Sequence, residues 1–199
     1  MQVHHINCGA MQLYGGALFD GQSPIAGPAE MTCHCLVLET EAGLVLVDTG
    51  TVSDDPQHDA AVLSDVVQVL DRPRLNRSEA AVAHIRRMGH KPEDVAHIVM
   101  THMDFDHAAG LRDFPKARIH LSAVEAEAAR DPRTPKARSR YRAGQWSKTQ
   151  SRWHSYAAFS VDWMGLPATA LDALPGLMLV SLPGHTKGHC GVAIQRDGT

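Results

Sequence analysis

Four groups able to bind a divalent cation, His102, Asp104, Asp106 and His107, fall within the run Thr101-His102-Met103-Asp104-Phe105-Asp106-His107. A short apolar stretch, residues 95–100, leads straight into them. The C-terminal ends of buried strands are where α/β proteins place ligand sites. In an extended segment, residues two apart project the same way, so His102 and Asp104 can reach one ion. Asp106 and His107 fall where the chain turns into a helix and can aim at a second. Two ions about 3.5–4 Å apart can hold a bridging hydroxide, lower its pKa towards neutrality and polarise a carbonyl or phosphoryl oxygen. A solvated acidic turn capping a helix would need neither both histidines nor a buried strand before them, so metal binding is expected. Pro183-Gly184-His185-Thr186-Lys187-Gly188-His189 also follows a predicted strand, and its glycines allow a tight turn around His185. On its own it reads as a glycine turn with surface histidines.

The elements that must position these groups are legible as periodicity. Residues 34–47 read as two β-rich runs around Glu41-Ala42-Gly43, a hairpin ending in the polar turn Asp48-Thr49-Gly50. Helical spacing covers 59–70 and 78–88, the second with Ser78 as N-cap and Gly89 as terminator. Pro92-Glu93-Asp94 leads into the strand that carries the cluster. A helix is expected over 107–113 and a strand over 117–121. A further helix runs over 122–130, with Ser122 and Glu125 in a capping-box pattern. Residues 177–182 and 190–195 read as strands, and 196–198 as a turn. Residues 131–168 change character: Pro132 and Pro135, six basic residues from Arg133 to Lys148, and all three tryptophans. This stretch is expected to be a partly helical insertion over the mouth of the site, within one domain spanning 1–199. The β-α-β-α-β order indicates a layered α/β fold.

Composition excludes several classes. A hydrophobic share of 44% and a charged share of 21% suit a globular domain. Net charge is −3, which argues against nucleic acid or an anionic membrane as partner. No apolar run reaches the roughly 18 residues of a membrane span. The start, MQVHHINCGA, has no secretory pattern, so the cytoplasm is expected. Cys33 and Cys35 lie two apart, pack to one face of a strand and are expected as core thiols, while Cys8 and Cys190 stand alone.

Taken together the motifs resemble the metallo-β-lactamase superfamily. Leu46-Val47-Asp48-Thr49-Gly50 is similar to its first motif, Thr101–His107 to its second and Gly184-His185-Thr186 to its third. Residues His4-His5-Ile6-Asn7-Cys8-Gly9 and Arg140-Tyr141-Arg142 with Gln145-Trp146 are similar to a branch near the quorum-quenching lactonases. The resemblance implies an αββα sandwich with the site along one edge. It places His102 and His185 at one metal, Asp106 and His107 at a second, and Asp48 and Thr101 in the hydrogen-bonding layer behind them. Where the family has a second histidine this chain has Asp104. Zinc is the first expectation, and because a carboxylate is a harder ligand than imidazole, Asp104 moves preference towards iron or manganese and admits them. The family also calls for a strand ending in a bridging aspartate and a later histidine. After His185 only Asp197 and His189 remain, so the resemblance implies that C-terminal strands are missing. A chain ending at Thr199 is therefore expected to aggregate or pair with another copy.

These readings lead to a metal-dependent hydrolase in which metal-bound hydroxide attacks an ester-like bond of a small molecule, a lactone being the leading substrate. Asp106 is expected to be a ligand that orients the nucleophile, and Tyr141 to steady a substrate oxygen. Phosphodiester or thioester hydrolysis, and a non-catalytic remnant of the fold, are the alternatives.

Overall fold

The computed structural model describes residues 1–55, 57, 59 and 73–195. The helix expected over 59–70 and the turn over 196–198 lie outside the described residues. Two sheets face each other. The first has six strands in sequence order: β1 (Gln2–Tyr14), β2 (Pro28–Thr40), β3 (Gly43–Val47), β4 (Val95–Val99), β5 (Arg118–Ser122) and β6 (Trp153–Tyr156). The first three pair antiparallel and the rest parallel. The second sheet, in the order β10-β9-β8-β7, is antiparallel and comprises β7 (Val161–Trp163), β8 (Leu166–Ala170), β9 (Leu177–Ser181) and β10 (Cys190–Ile194).

The central strands are covered on both faces, which explains why GLVLV and VAHIV are near-continuous apolar runs. On one face Val37, Leu46, Ile98 and Ile119 pack with Val82 and Ile85 of α2 (Ala81–Arg87) and Ala126 of α4 (Ala123–Arg130). On the other, Leu38, Val45, Val47 and Val99 meet Leu171, Leu174, Leu177 and Leu179, which joins the sheets into a sandwich. The outer face of the second sheet carries a small cluster, Ala168, Val180 and Ala193, to which no described helix contributes. The remaining helices among the described residues are short: α1 (Ala17–Asp20), α3 (Phe105–Ala108), α5 (Pro135–Arg140) and α6 (Ala143–Trp146).

The hairpin over 34–47 and the strands after 92, 117, 177 and 190 stand where expected. Cys33 and Cys35 are buried free thiols, as are Cys8 and Cys190. Three expectations change. Ser78 does not cap α2; its hydroxyl donates to Asn76 Oδ1 within a 3-10 turn, Arg77–Glu79, and α2 starts only at Ala81. Ser122 caps α4 through Val124 N, but Glu125 does not complete a capping box, because its carboxylate points into the protein. Residues 131–168 are not one covering segment. Only α5, α6 and the following 3-10 turn, Ser147–Arg152, suit that part; from Trp153 onwards the chain supplies β6, β7 and the start of β8. The tryptophans bridge this division, since Trp146 and Trp153, one from each side of it, pack together at the helix-side core.

Candidate metal centre

Three segments leaving strand ends build the site: Asp48 after β3, Thr101–His107 after β4, and His185–His189 between β9 and β10. Cross-bonds knit them. Asp48 N donates to Val99 O at 3.0 Å, Thr49 N to His107 O at 2.8 Å and Cys190 N to Thr101 O at 2.9 Å. Gly50 is required between them: its φ is 75°, and an added Cβ would stand 2.3 Å from Cys8 Cβ and from Cys8 O.

Asp48 organises the imidazoles. It is buried and has φ 58°, a region that aspartate tolerates better than most residues. Its Oδ1 accepts from Thr101 N at 2.9 Å and its Oδ2 from Thr101 Oγ1 at 2.7 Å. The Thr101 hydroxyl has spent its one proton on that carboxylate, so at 2.9 Å from His102 Nδ1 it must accept. His102 therefore carries its proton on Nδ1 and presents Nε2 as a lone pair. His107 Nδ1 likewise donates to Asp48 Oδ2 at 2.8 Å, and its Nε2 lies 3.3 Å from Asp106 Oδ2. Burial disfavours charge on His107, but the Asp48 and Asp106 carboxylates outweigh it and raise its pKa well above the usual histidine value. An ion at Nε2 would take the place of that proton.

The rings of His107 and His185 lie 4.0 and 4.7 Å from that of His102, centroid to centroid. His185 Nε2 donates to Asp104 Oδ2 at 2.9 Å, and Arg140 reaches the same oxygen at 3.3 Å. Burial works against the Asp104 carboxylate, yet His102, Arg140 and His185 together hold its pKa below the usual range. Asp106 behaves alike, with His107 as its main stabiliser against burial. One ligand atom from each of His102, Asp104 and His185 falls within 4.8 Å of the others. Among the described residues, His102 Nε2 and Asp104 Oδ1 are buried without a hydrogen-bond partner. Orphaned polar atoms of this kind are costly and need an account. A lone-pair nitrogen and a carboxylate oxygen this close together are the donors a divalent cation takes, so these residues fit a metal.

The structure thus brings His102, Asp104, Asp106, His107 and His185 together, with Asp48 and Thr101 behind them. Tyr141 is buried next to Glu125, and burial together with that carboxylate pushes its pKa up. Three neighbours escaped the sequence reading. Arg140, one basic residue among six in its stretch, also donates to His185 O at 2.8 Å. His189 lies 5.1 Å from His102, ring to ring, with its Nδ1 donating to Leu182 O. Glu125, 1% exposed, touches the loops on both sides of the site. A cavity of about 510 Å³ opens beside His185, lined among others by Val124, Ala128, Lys136, Arg140, Tyr141 and Lys187. Among the described residues no helix is long and apolar enough to cross a membrane.

The family described as the metallo-beta-lactamase superfamily matches residues 29–199. A probable metallo-hydrolase of Mycobacterium tuberculosis is 38% identical over 196 residues, covering 98% of this chain and 58% of its own length. An N-acyl homoserine lactonase of Bacillus cereus is 28% identical, with 82% of this chain and 58% of the relative covered. The chain therefore spans well under two thirds of both relatives. A solved N-acyl homoserine lactone hydrolase with N-hexanoyl-L-homoserine at its catalytic metal centre superposes with a TM-score of 0.74 at 23% identity, over 98% of this chain and 70% of that one. A probable metal-dependent hydrolase from Staphylococcus aureus gives 0.77 at 20% identity, over 99% and 69%. At these identities the two structures speak to the fold.

Proposed function

Because the chain belongs to the metallo-beta-lactamase superfamily, we propose that it serves a metal-dependent hydrolase that opens an ester-like bond in a small molecule, a lactone first. The observation that carries this is the group His102, Asp104 and His185, one ligand atom of each within 4.8 Å of the others, with His102 Nε2 and Asp104 Oδ1 buried and unpartnered among the described residues. His102, Asp104 and His185 would hold one divalent ion, and Asp106 with His107 a second. Such ions supply Lewis-acid polarisation of a carbonyl and acidify water. Zinc is the first choice, and the hard oxygen of Asp104 admits iron or manganese.

The chain's own groups do the rest. Asp48 holds the Nδ1 protons of His102, through Thr101, and of His107, and so leaves Nε2 as the nitrogen of each ring that would meet an ion. Asp106 lies beside His107 and would orient a water through its free lone pairs. Opening a lactone leaves a carboxylate and an alcohol. Arg140, bordering the cavity, has guanidinium donors beyond those spent on Asp104 and His185, and a guanidinium fork suits a new carboxylate. The lactonase name carried by the Bacillus relative supports the substrate class. Four buried free thiols suit a reducing compartment, here the cytoplasm.

The test uses the whole chain loaded in turn with zinc, manganese and ferrous iron. Each form is offered an N-acyl homoserine lactone, a thioester and bis(4-nitrophenyl) phosphate, and its metal content is measured. We expect lactone turnover that His102→Ala abolishes. Turnover of the phosphodiester or thioester alone would move the assignment to that bond. Tight metal binding with no turnover of any substrate would make the chain a non-catalytic member of the fold.

A further inference from the structure

We propose that Glu125 is a positioning residue of the metal centre, a buried carboxylate that sets the spacing between the two loops carrying the ligands. The proposal rests on the reading of His102, Asp104 and His185 as ligands. Glu125 lies in the first turn of α4, on an element that supplies none of them. Its Oε1 accepts from Met103 N at 3.0 Å. Its Oε2 accepts from Thr186 Oγ1 at 2.7 Å and from Gly188 N at 3.2 Å. Met103 separates His102 from Asp104, and Thr186 directly follows His185. Every donor that Glu125 satisfies is therefore next to, or within three residues of, a ligand, and the two sets come from opposite sides of the site.

The chemistry of the side chain explains why a carboxylate stands here. Three donors from two loops need a group that only accepts, with lone pairs on two oxygens. Burying such a group without those partners would be costly, so its presence at 1% exposure ties it to the closed arrangement of the loops. Backbone packing enforces the same spacing. A Cβ added to Gly188 would stand 2.3 Å from Glu125 N and 2.6 Å from Glu125 Cα, so the His185 loop is pressed onto the first turn of α4 and only glycine fits. Loop spacing matters because ligand atoms must be held close to their coordination geometry before the ion arrives, and partners behind the ligands are typically worth about 10–100-fold in metal affinity.

Glu125→Gln separates positioning from bulk. Glutamine keeps the shape but has one accepting oxygen, so its amide N–H must confront the N–H of one loop or the other. Thr186→Val removes one of the three donors at nearly constant volume and serves if Glu125→Gln folds poorly. Both are compared with Val82→Ala, a core truncation on α2, and His102→Ala, which removes a ligand. The readouts are cobalt(II) affinity by chelator competition, the visible absorption spectrum of the cobalt form, and Tm. We expect Glu125→Gln to lose about 10–100-fold in cobalt affinity with an altered spectrum, Thr186→Val to lose less, and Val82→Ala to lose Tm alone. Wild-type affinity and spectrum in both Glu125→Gln and Thr186→Val would overturn the proposal. So would an equal affinity loss in Val82→Ala at matched Tm, since Glu125 would then act only through stability. A wild-type chain indifferent to cobalt, or one unaffected by His102→Ala, would instead overturn the ligand reading itself and the proposal with it.

Discussion

A histidine becomes a ligand only when one nitrogen is relieved of its proton, and here that choice is made by Asp48. Its carboxylate takes three hydrogen bonds, from Thr101 N, Thr101 Oγ1 and His107 Nδ1. The result is that Nε2 is the nitrogen of each ring left to meet an ion. Asp48→Asn tests this without disturbing the backbone, because asparagine tolerates the positive φ at this position as well as aspartate does. The amide offers one acceptor where three donors converge, so either Thr101 or His107 loses its partner and the tautomers are no longer imposed. We expect metal affinity to fall about 10–100-fold with the fold intact, measured by chelator competition alongside circular dichroism. Unchanged affinity would mean that the imidazoles are oriented by something other than Asp48.

At the scale of elements, the site depends on strand ends held at close range. The turn after β3 passes so near β1 that Gly50 touches Cys8, and the Gly50–Ala109 and Thr49–His107 backbone bonds tie the same turn to α3. Gly50→Ala combines overpacking with a left-handed backbone that alanine resists. We expect a loss of about 2–5 kcal/mol, read as a lowered urea midpoint. The element scale is also where local sequence rules mislead. Ser122 followed by Glu125 is a sound capping-box pattern, and Ser122 does cap α4. Glu125 nevertheless turns inward, because Met103, Thr186 and Gly188 offer it three buried donors on two other loops, while Ser122 at the buried end of β5 offers one. The start of α2 moved for a similar reason, as Asn76 captured the Ser78 hydroxyl.

For the molecule as a whole, stability should carry a pH signature away from the metal centre. Asp113 accepts from Asp54 N at 2.9 Å. Burial, with added repulsion from Asp54 and Asp59, pushes its pKa up to about 7. An unfolded aspartate titrates near 3.9, so between about pH 4 and pH 7 the folded state binds more protons than the unfolded one. Stability contributed by the protonated form is therefore lost as pH rises through that window. Asp113→Asn keeps the acceptor for Asp54 N without a charge. Urea midpoints at pH 5 and pH 8 should show the variant gaining on wild type at the higher pH, by on the order of 1–3 kcal/mol. A gain of the same size at both pH values would assign the effect to packing.

Residue types and short-range order were enough to single out the candidate donors, the strands before them and the layered α/β plan. Ligand type is an intrinsic property of a side chain, and β3, β4 and β9 are apolar over their own lengths because they are buried on both faces or nearly so. Core burial of Cys33 and Cys35 followed from their spacing in the same way. What tertiary structure alone decided was everything that depends on who stands opposite. Glu125 meets Met103 and Thr186 across 22 and 61 residues of sequence, and Arg140 meets Asp104 only because α5 folds back over the site. Tyr141 joins the helix-side core, and the 131–168 stretch divides between cover and sheet, because apolar surface elsewhere in the chain claims them. A hydrogen bond's partner is set by distance in space, and no local pattern of residues encodes that distance.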